Sequence, residues 1–237
     1  MDGVIGGTSR FAATALSSVY IDIFTNHYYG NIQGLGSDAN FVINKNKAFI
    51  AGEYGFGNSL SWYDNALNTV LSTPAVSGLL LWSLRYHSYE GGFYAHDEGN
   101  GYASYHVPGF PTAPGFGREE AQLMPLVRYY GLRIQGLDTK MGYPISFAPS
   151  PASGSVTPKA LRWAGSAWAK GYNLERQEVG TTVWTRIATK VMDNVIGPAA
   201  IFSDGNAVVG KGYYYRVQAV GVGGAVSGWL TIGPLTA

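Results

Sequence analysis

Glu53 ends the apolar run Ala48-Phe49-Ile50-Ala51 and is flanked by Gly52 and Gly55. A carboxylate fixed where a buried strand opens can attack a bound substrate or exchange a proton with it. Two other stretches close in a comparable way. "IFTNHYYG" leads into Asn26, His27, Tyr28 and Tyr29, and "LLLWSLRYH" carries Trp82 followed by Arg85, Tyr86 and His87. A His and a Tyr can hold and orient a carboxylate. A Trp offers a flat apolar face to a ring-shaped ligand. In a parallel α/β domain the C-terminal ends of successive strands converge, so the three stretches predict one site.

Other chemistries are absent from the pattern. The histidines His27, His87, His96 and His106 lack the close pairing of a metal site, so no metal and no cofactor is expected. There is no G-x-S-x-G elbow and no phosphate-binding glycine loop; "GLGSD" and "GFGNS" lack the Lys-Ser/Thr that such a loop needs. Lys and Arg total 16 against 15 Asp and Glu, a net charge of +1 that gives no reason to expect nucleic acid or a charged membrane surface as partner. The chain has no cysteine, which excludes a disulfide framework. No apolar run reaches the ~18 residues of a membrane span. "MDGVIGGTSR" has neither the basic head nor the apolar core of a signal peptide. Aromatic residues make up 14% of the chain, a share that suits either an aromatic β core or flat, polar-edged ligands such as sugars.

The elements that must position these groups fall into two regions. Strands are expected at Val19–Phe24, Ala48–Gly55 and Gly78–Tyr86. Between the last two, Leu60, Tyr63, Leu67, Val70 and Leu71 recur at helical spacing, with Asn58 or Ser59 as cap and Pro74 beyond the end. A second helix is expected through "REEAQLMPLVRYYGLRIQG", with Leu123, Leu126, Val127 and Tyr130 on one face, a kink at Pro125 and a stop at Gly136. This is the rhythm of parallel α/β structure. Residues 142–157 are rich in Pro, Ser and Gly and read as a linker or first strand. Beyond them the period becomes two. In "GYYYRVQAVG", Tyr213, Tyr215, Val217 and Ala219 share one face, which predicts an antiparallel β-sandwich over 158–237.

The motifs "IFTNHYYG", "FIAGEYGF" and "LLLWSLRYHSYEGGFYAHDE" resemble strands six, seven and eight of a glycoside hydrolase family 5 (β/α)₈ barrel, most of all its endo-β-1,4-mannanase and cellulase-like members. The resemblance covers about residues 1–141, and "MDG" is similar to the tip of strand five. It implies a TIM-barrel catalytic domain in which Glu53 is the nucleophile, His27 and Tyr29 attend it, and Trp82 forms the floor under the sugar. Asn26, Arg85, His87, Glu90 and His96 would bind substrate. The family's acid/base Glu follows an Asn on strand four, and no Asn-Glu pair precedes Glu53. The resemblance therefore implies the C-terminal part of a retaining β-glycanase acting on mannan or glucan, with a missing N-terminal half as partner and no turnover by this chain alone. The alternative is a non-catalytic carbohydrate-binding or structural fragment. The C-terminal region resembles a fibronectin type III-like module, with Trp163 and Tyr172 as core aromatics and Trp184 and Trp229 expected to pack inside. Such modules accompany secreted carbohydrate-active enzymes, so the expected location is extracellular.

Overall fold

The computed structural model describes residues 11–55, 59–97, 99 and 104–237. The stretch "MDG", assigned above to a strand tip, lies outside them. The fold is mixed. It contains a parallel three-stranded sheet and an antiparallel four-stranded sheet, and both are open. Four helices are described, α1 (Ala13–Ser17), α2 (Gly34–Ile43), α3 (Leu60–Ser72) and α4 (Glu120–Ile134). None is long and apolar enough to cross a membrane.

The chain divides into two compact units. The first takes the described residues up to Leu84 together with Pro125–Thr139. Its sheet has the order β1 (Ile23–Tyr28), β2 (Ala48–Gly55), β3 (Val76–Trp82). Phe24 of β1 and Phe49 and Ala51 of β2 are buried on the face that meets α2, where Leu35, Ala39 and Val42 are fully buried. Phe11 sets its ring edge-on to Phe24 and Phe49. Helix α3 begins where the sequence placed it: Ser59 accepts from the Trp62 amide at 3.3 Å, and Tyr63, Ala66, Leu67 and Val70 form its buried face. At the other end of the unit, α4 closes at Gly136, whose φ of +68° lets the Leu137 amide reach back to the Leu132 carbonyl at 2.8 Å. Pro125 sits exposed within α4, at the residue where the helix passes from one unit to the other.

Two sequence expectations change here. The first strand starts at Ile23 rather than Val19, so Asn26, His27 and Tyr28 are strand residues and not a loop after it. Val19 and Tyr20 are exposed instead. Helix α2 was not anticipated. No side chain caps its start. What holds it is burial of Leu35, Ala39 and Val42 at helical spacing.

The second unit is Arg85–Met124 with Lys140–Ala237. The short strands β4 (Leu84–Arg85), β5 (Tyr105–His106), β6 (Ser150–Pro151) and β7 (Trp163–Ala164) precede the main sheet. That sheet comprises β8 (Ala169–Glu178), β9 (Thr185–Val191), β10 (Gly212–Gly221) and β11 (Val226–Thr236) in the order β11-β10-β8-β9. Strand β10 alternates as its sequence demands, with Tyr213, Tyr215, Val217 and Ala219 packed against Leu161, Trp163, Tyr172 and Leu174. The loop 85–124, grouped with the N-terminal region by sequence, packs here. Phe93, Phe110 and Phe116 form a buried aromatic cluster against Ile196, the Phe93 amide bonds the Val195 carbonyl at 2.8 Å, and Lys170 donates to the Gly109 carbonyl.

Candidate functional site

The candidate nucleophile depends on an irregularity in β2. Asn26 pairs with Ala51 and His27 pairs with Glu53, so β2 carries one residue more than β1. The β3 side agrees: Ala51 pairs with Leu79, and Tyr54 pairs with Leu81. The extra residue makes a β-bulge at Gly52–Glu53. Strict alternation from buried Phe49 and Ala51 would send Glu53 to the helix face and Tyr54 away from it. The bulge does the reverse: Tyr54 is buried, and Gly52 and Glu53 both stay on the other face. There Glu53 meets His27, with Oε2 3.4 Å from Nδ1 and side-chain exposures of 22% and 20%. In its protonated form His27 is the counter-ion of this carboxylate. A glycine suits position 52, because a Cβ there would lie 3.3 Å from Thr25 Cβ and 3.5 Å from the His27 ring.

The same face continues across the sheet. Gly78 pairs with Ile50, and a Cβ on Gly78 would touch the Ile50 side chain, so these two positions share a face. Alternation along β3 then places Leu80 and Trp82 with them, and Trp82 is in register with Gly55 at the end of β2. The Tyr29 ring, one residue beyond β1, lies edge-on to His27 with centroids 6.3 Å apart. His27, Tyr29, Glu53 and Trp82 thus belong to the C-terminal ends of three adjacent parallel strands.

Asn26 does not join them. It is fully buried on the helix face, so its side chain is closed to substrate. Its Nδ2 donates to Asp38 Oδ2 at 3.2 Å, and Tyr28 Oη donates to the same oxygen at 2.5 Å. Asp38, on α2 and 1% exposed, holds both strand neighbours of His27 from behind. Sequence reasoning missed it; the available signal was an acidic residue inside the apolar repeat Leu35, Ala39, Val42. It is not a second catalytic carboxylate for Glu53, since it faces the opposite side of the sheet.

The remaining candidates belong to the second unit. His87 is committed to structure: its Nε2 lies 3.1 Å from the buried Asp193 carboxylate and its ring packs on Phe93, with centroids 3.9 Å apart. It is thus part of the unit's interior rather than a free ligand for hydroxyls, a correction that rests on a partner 106 positions away in sequence. Glu90 is fixed through its backbone, with its amide bonded to Ser88 Oγ and its carbonyl to Arg162. The His96 backbone is clasped on both sides by Ser104 Oγ. Arg85 is half-buried. His106, not among the candidates, is fully buried with Glu120 at 3.2 Å. Burial raises the Glu120 pKa, opposed by His106 and by the amides of Phe110 and Gly117. Trp184 and Trp229 lie half-buried outside the core, each with its ring centroid 4.5 Å from the Arg216 guanidinium carbon. Among the described residues no three His, Asp or Glu side chains gather as a metal site.

A search of protein-family models and of curated proteins finds no match to this chain.

Proposed function

We propose that the first unit is the C-terminal part of a (β/α)₈ barrel of family 5 glycoside hydrolase type, and that the chain belongs to a secreted retaining β-glycanase acting on mannan- or glucan-like polysaccharide. The second unit would be its fibronectin type III-like sandwich, enlarged by the loop 85–124. One observation carries the reading: the bulge at Gly52 turns Glu53 onto the face where His27 waits at the end of the neighbouring parallel strand. In the proposed reaction a Glu53 oxygen attacks the anomeric carbon, and the bond from that carbon to the glycosidic oxygen breaks. The departing oxygen takes the electron pair and a proton from a second carboxyl group, which a complementary N-terminal half would supply. Water then attacks the glycosyl-enzyme ester, gives a proton to that same group, and frees Glu53. His27 orients the attacking carboxylate, Tyr29 offers it a hydroxyl, and Trp82 supports the sugar ring.

A dinitrophenyl 2-deoxy-2-fluoroglycoside tests this in the chain as it stands, because that leaving group departs without protonation and needs no acid partner. Mass spectrometry should find one fluoroglycosyl ester on the peptide containing Glu53, and none in Glu53→Gln. An unlabelled chain, or a label on Glu90, overturns the assignment. A second reading, sugar binding without turnover, is favoured by the fact that Glu53 is the one carboxylate on its face of β1–β3. It predicts oligosaccharide binding with no ester formed.

A further inference from the structure

The hairpin Tyr86–Tyr94 is welded to the second unit along its inner side. His87 pairs with Asp193 and bridges to Phe93, and Ser88, Gly91, Gly92 and Phe93 are buried. Gly92, with φ of +64°, lies so close to the Val195 carbonyl that no side chain fits there. The Tyr89 carbonyl accepts from the Ser153 amide at 2.7 Å, and the Ser88 amide bonds the Gly92 carbonyl at 2.9 Å. On the outer side the same hairpin shows three tyrosines. Tyr86 is 70% exposed and Tyr89 64% exposed. Both rings stand against the half-buried Tyr94, at centroid distances of 4.9 and 5.9 Å.

A contiguous exposed aromatic cluster on a rigid support is the uncommon feature here; singly exposed apolar residues are ordinary. The support keeps the ordering cost of binding low, and tyrosines lose little rotamer freedom. Three features narrow the ligand. No Lys or Arg lies between Tyr86 and Tyr94, and Glu90 is the hairpin's one carboxylate, which disfavours nucleic acid. The two exposed rings offer on the order of 300 Å² together, well short of the ~800 Å² per partner of a stable protein interface. The interplanar angles of 56° and 62° make a faceted cradle rather than a flat platform. We infer that Tyr86, Tyr89 and Tyr94 form a binding site for a soluble β-linked oligosaccharide, taking the apolar faces of its pyranose rings on the aromatic rings and its hydroxyls on the phenol edges. The choice of β-linked sugar rests on the reading of Glu53 given above; the site itself requires no hydrolysis.

The full-length chain, labelled with ¹³C-tyrosine, is titrated with mannohexaose and cellohexaose, with maltohexaose as the α-linked control. The ring signals of Tyr86, Tyr89 and Tyr94 should shift and saturate with at least one β-linked sugar. Tyr86→Ala and Tyr89→Ala should each raise Kd about tenfold or more. Both tyrosines point outward, and an unchanged unfolding midpoint checks that their loss spares the fold. Saturation without movement of these three rings, equal response to maltohexaose, or sedimentation showing a dimer abolished by Tyr89→Ala overturns the inference. Failure of the Glu53 labelling leaves this titration intact, and failure of the titration leaves the labelling intact, so the two readings fall separately.

Discussion

Deleting Gly52 should do little harm, although removing a residue from a buried strand is ordinarily severe. In β2 the side chains of Phe49, Ala51 and Tyr54 face the helices, while Ile50, Gly52 and Glu53 face the other way. Without Gly52 the order becomes Ala51, Glu53, Tyr54, which alternates regularly and keeps Ala51 opposite Asn26 and Glu53 opposite His27. What is lost is the bulge, and with it a residue that has no partner of its own in β1. The expected cost is about 1 kcal/mol or less, no more than an average point mutation. Deleting Phe49 is the control, because it is fully buried and losing such a ring costs about 3–5 kcal/mol. Hydrogen exchange of the β2 amides reads the first unit alone, and the two deletions should differ there by several kcal/mol. Equal loss of protection in both deletions would show that the extra residue is not what turns Glu53.

Phe93→Ala should destabilise the second unit by about 3–5 kcal/mol, since Phe93 is 1% exposed and packs on His87, His106, Phe110 and Phe116; exchange at Tyr213–Ala219 should rise with it, and β10 protection unchanged would mean that the loop 85–124 folds apart from the sheet. Glu175 is buried, which alone would raise its pKa, but hydrogen bonds from Arg186 and Arg216 hold it below the ordinary value. A lowered folded pKa stabilises above the unfolded value of about 4.3 and ceases to do so as pH falls through the folded one. The stability gap between wild type and Glu175→Gln, read from urea midpoints, should therefore be wide at pH 7 and narrow toward pH 2–3; a gap independent of pH contradicts it. Ser59→Ala should cost about 0.5–2 kcal/mol by removing the cap on the Trp62 amide, and Ser59→Asp should restore it in thermal unfolding.

Where local chemistry decided the structure, the sequence was a sufficient guide. Strand β2 occupies the residues its apolar run suggested, α3 starts after Ser59, and β10 buries the alternate residues its pattern marked. Legibility stopped where partners are distant. His87 looked like a site residue until Asp193 arrived from another part of the chain. Phe93, Phe110 and Phe116 have no periodic spacing, so nothing in the loop 85–124 announced that it packs with the C-terminal sheet. Helix α2 was hidden by glycines whose helical cost is offset by complete burial of three side chains. The bulge left a trace, a glycine inside a strand, which is a recognised sign of a break in pairing. Glu53 was picked out for standing at a strand tip. The reason it faces His27 is a counting irregularity that only the register exposes.

The open face of the parallel sheet has an order of its own. Going toward the C-terminal ends, Thr25 is followed by His27 on β1, Ile50 by Glu53 on β2, and Leu80 by Trp82 on β3. Each strand thus places an aliphatic or methyl-bearing group low and a polar or aromatic group high. Parallel sheets are ordinarily covered on both faces, and on this face Leu80 is 59% exposed. A flat cover over the whole face would protect Leu80 but would also bury the Glu53 carboxylate, at the cost that attends any buried charge. A wall that curves round to meet the strands low down and leaves their upper ends at a rim satisfies both groups at once. Interior layers of branched side chains beneath a polar mouth are what the closed barrel proposed above would provide.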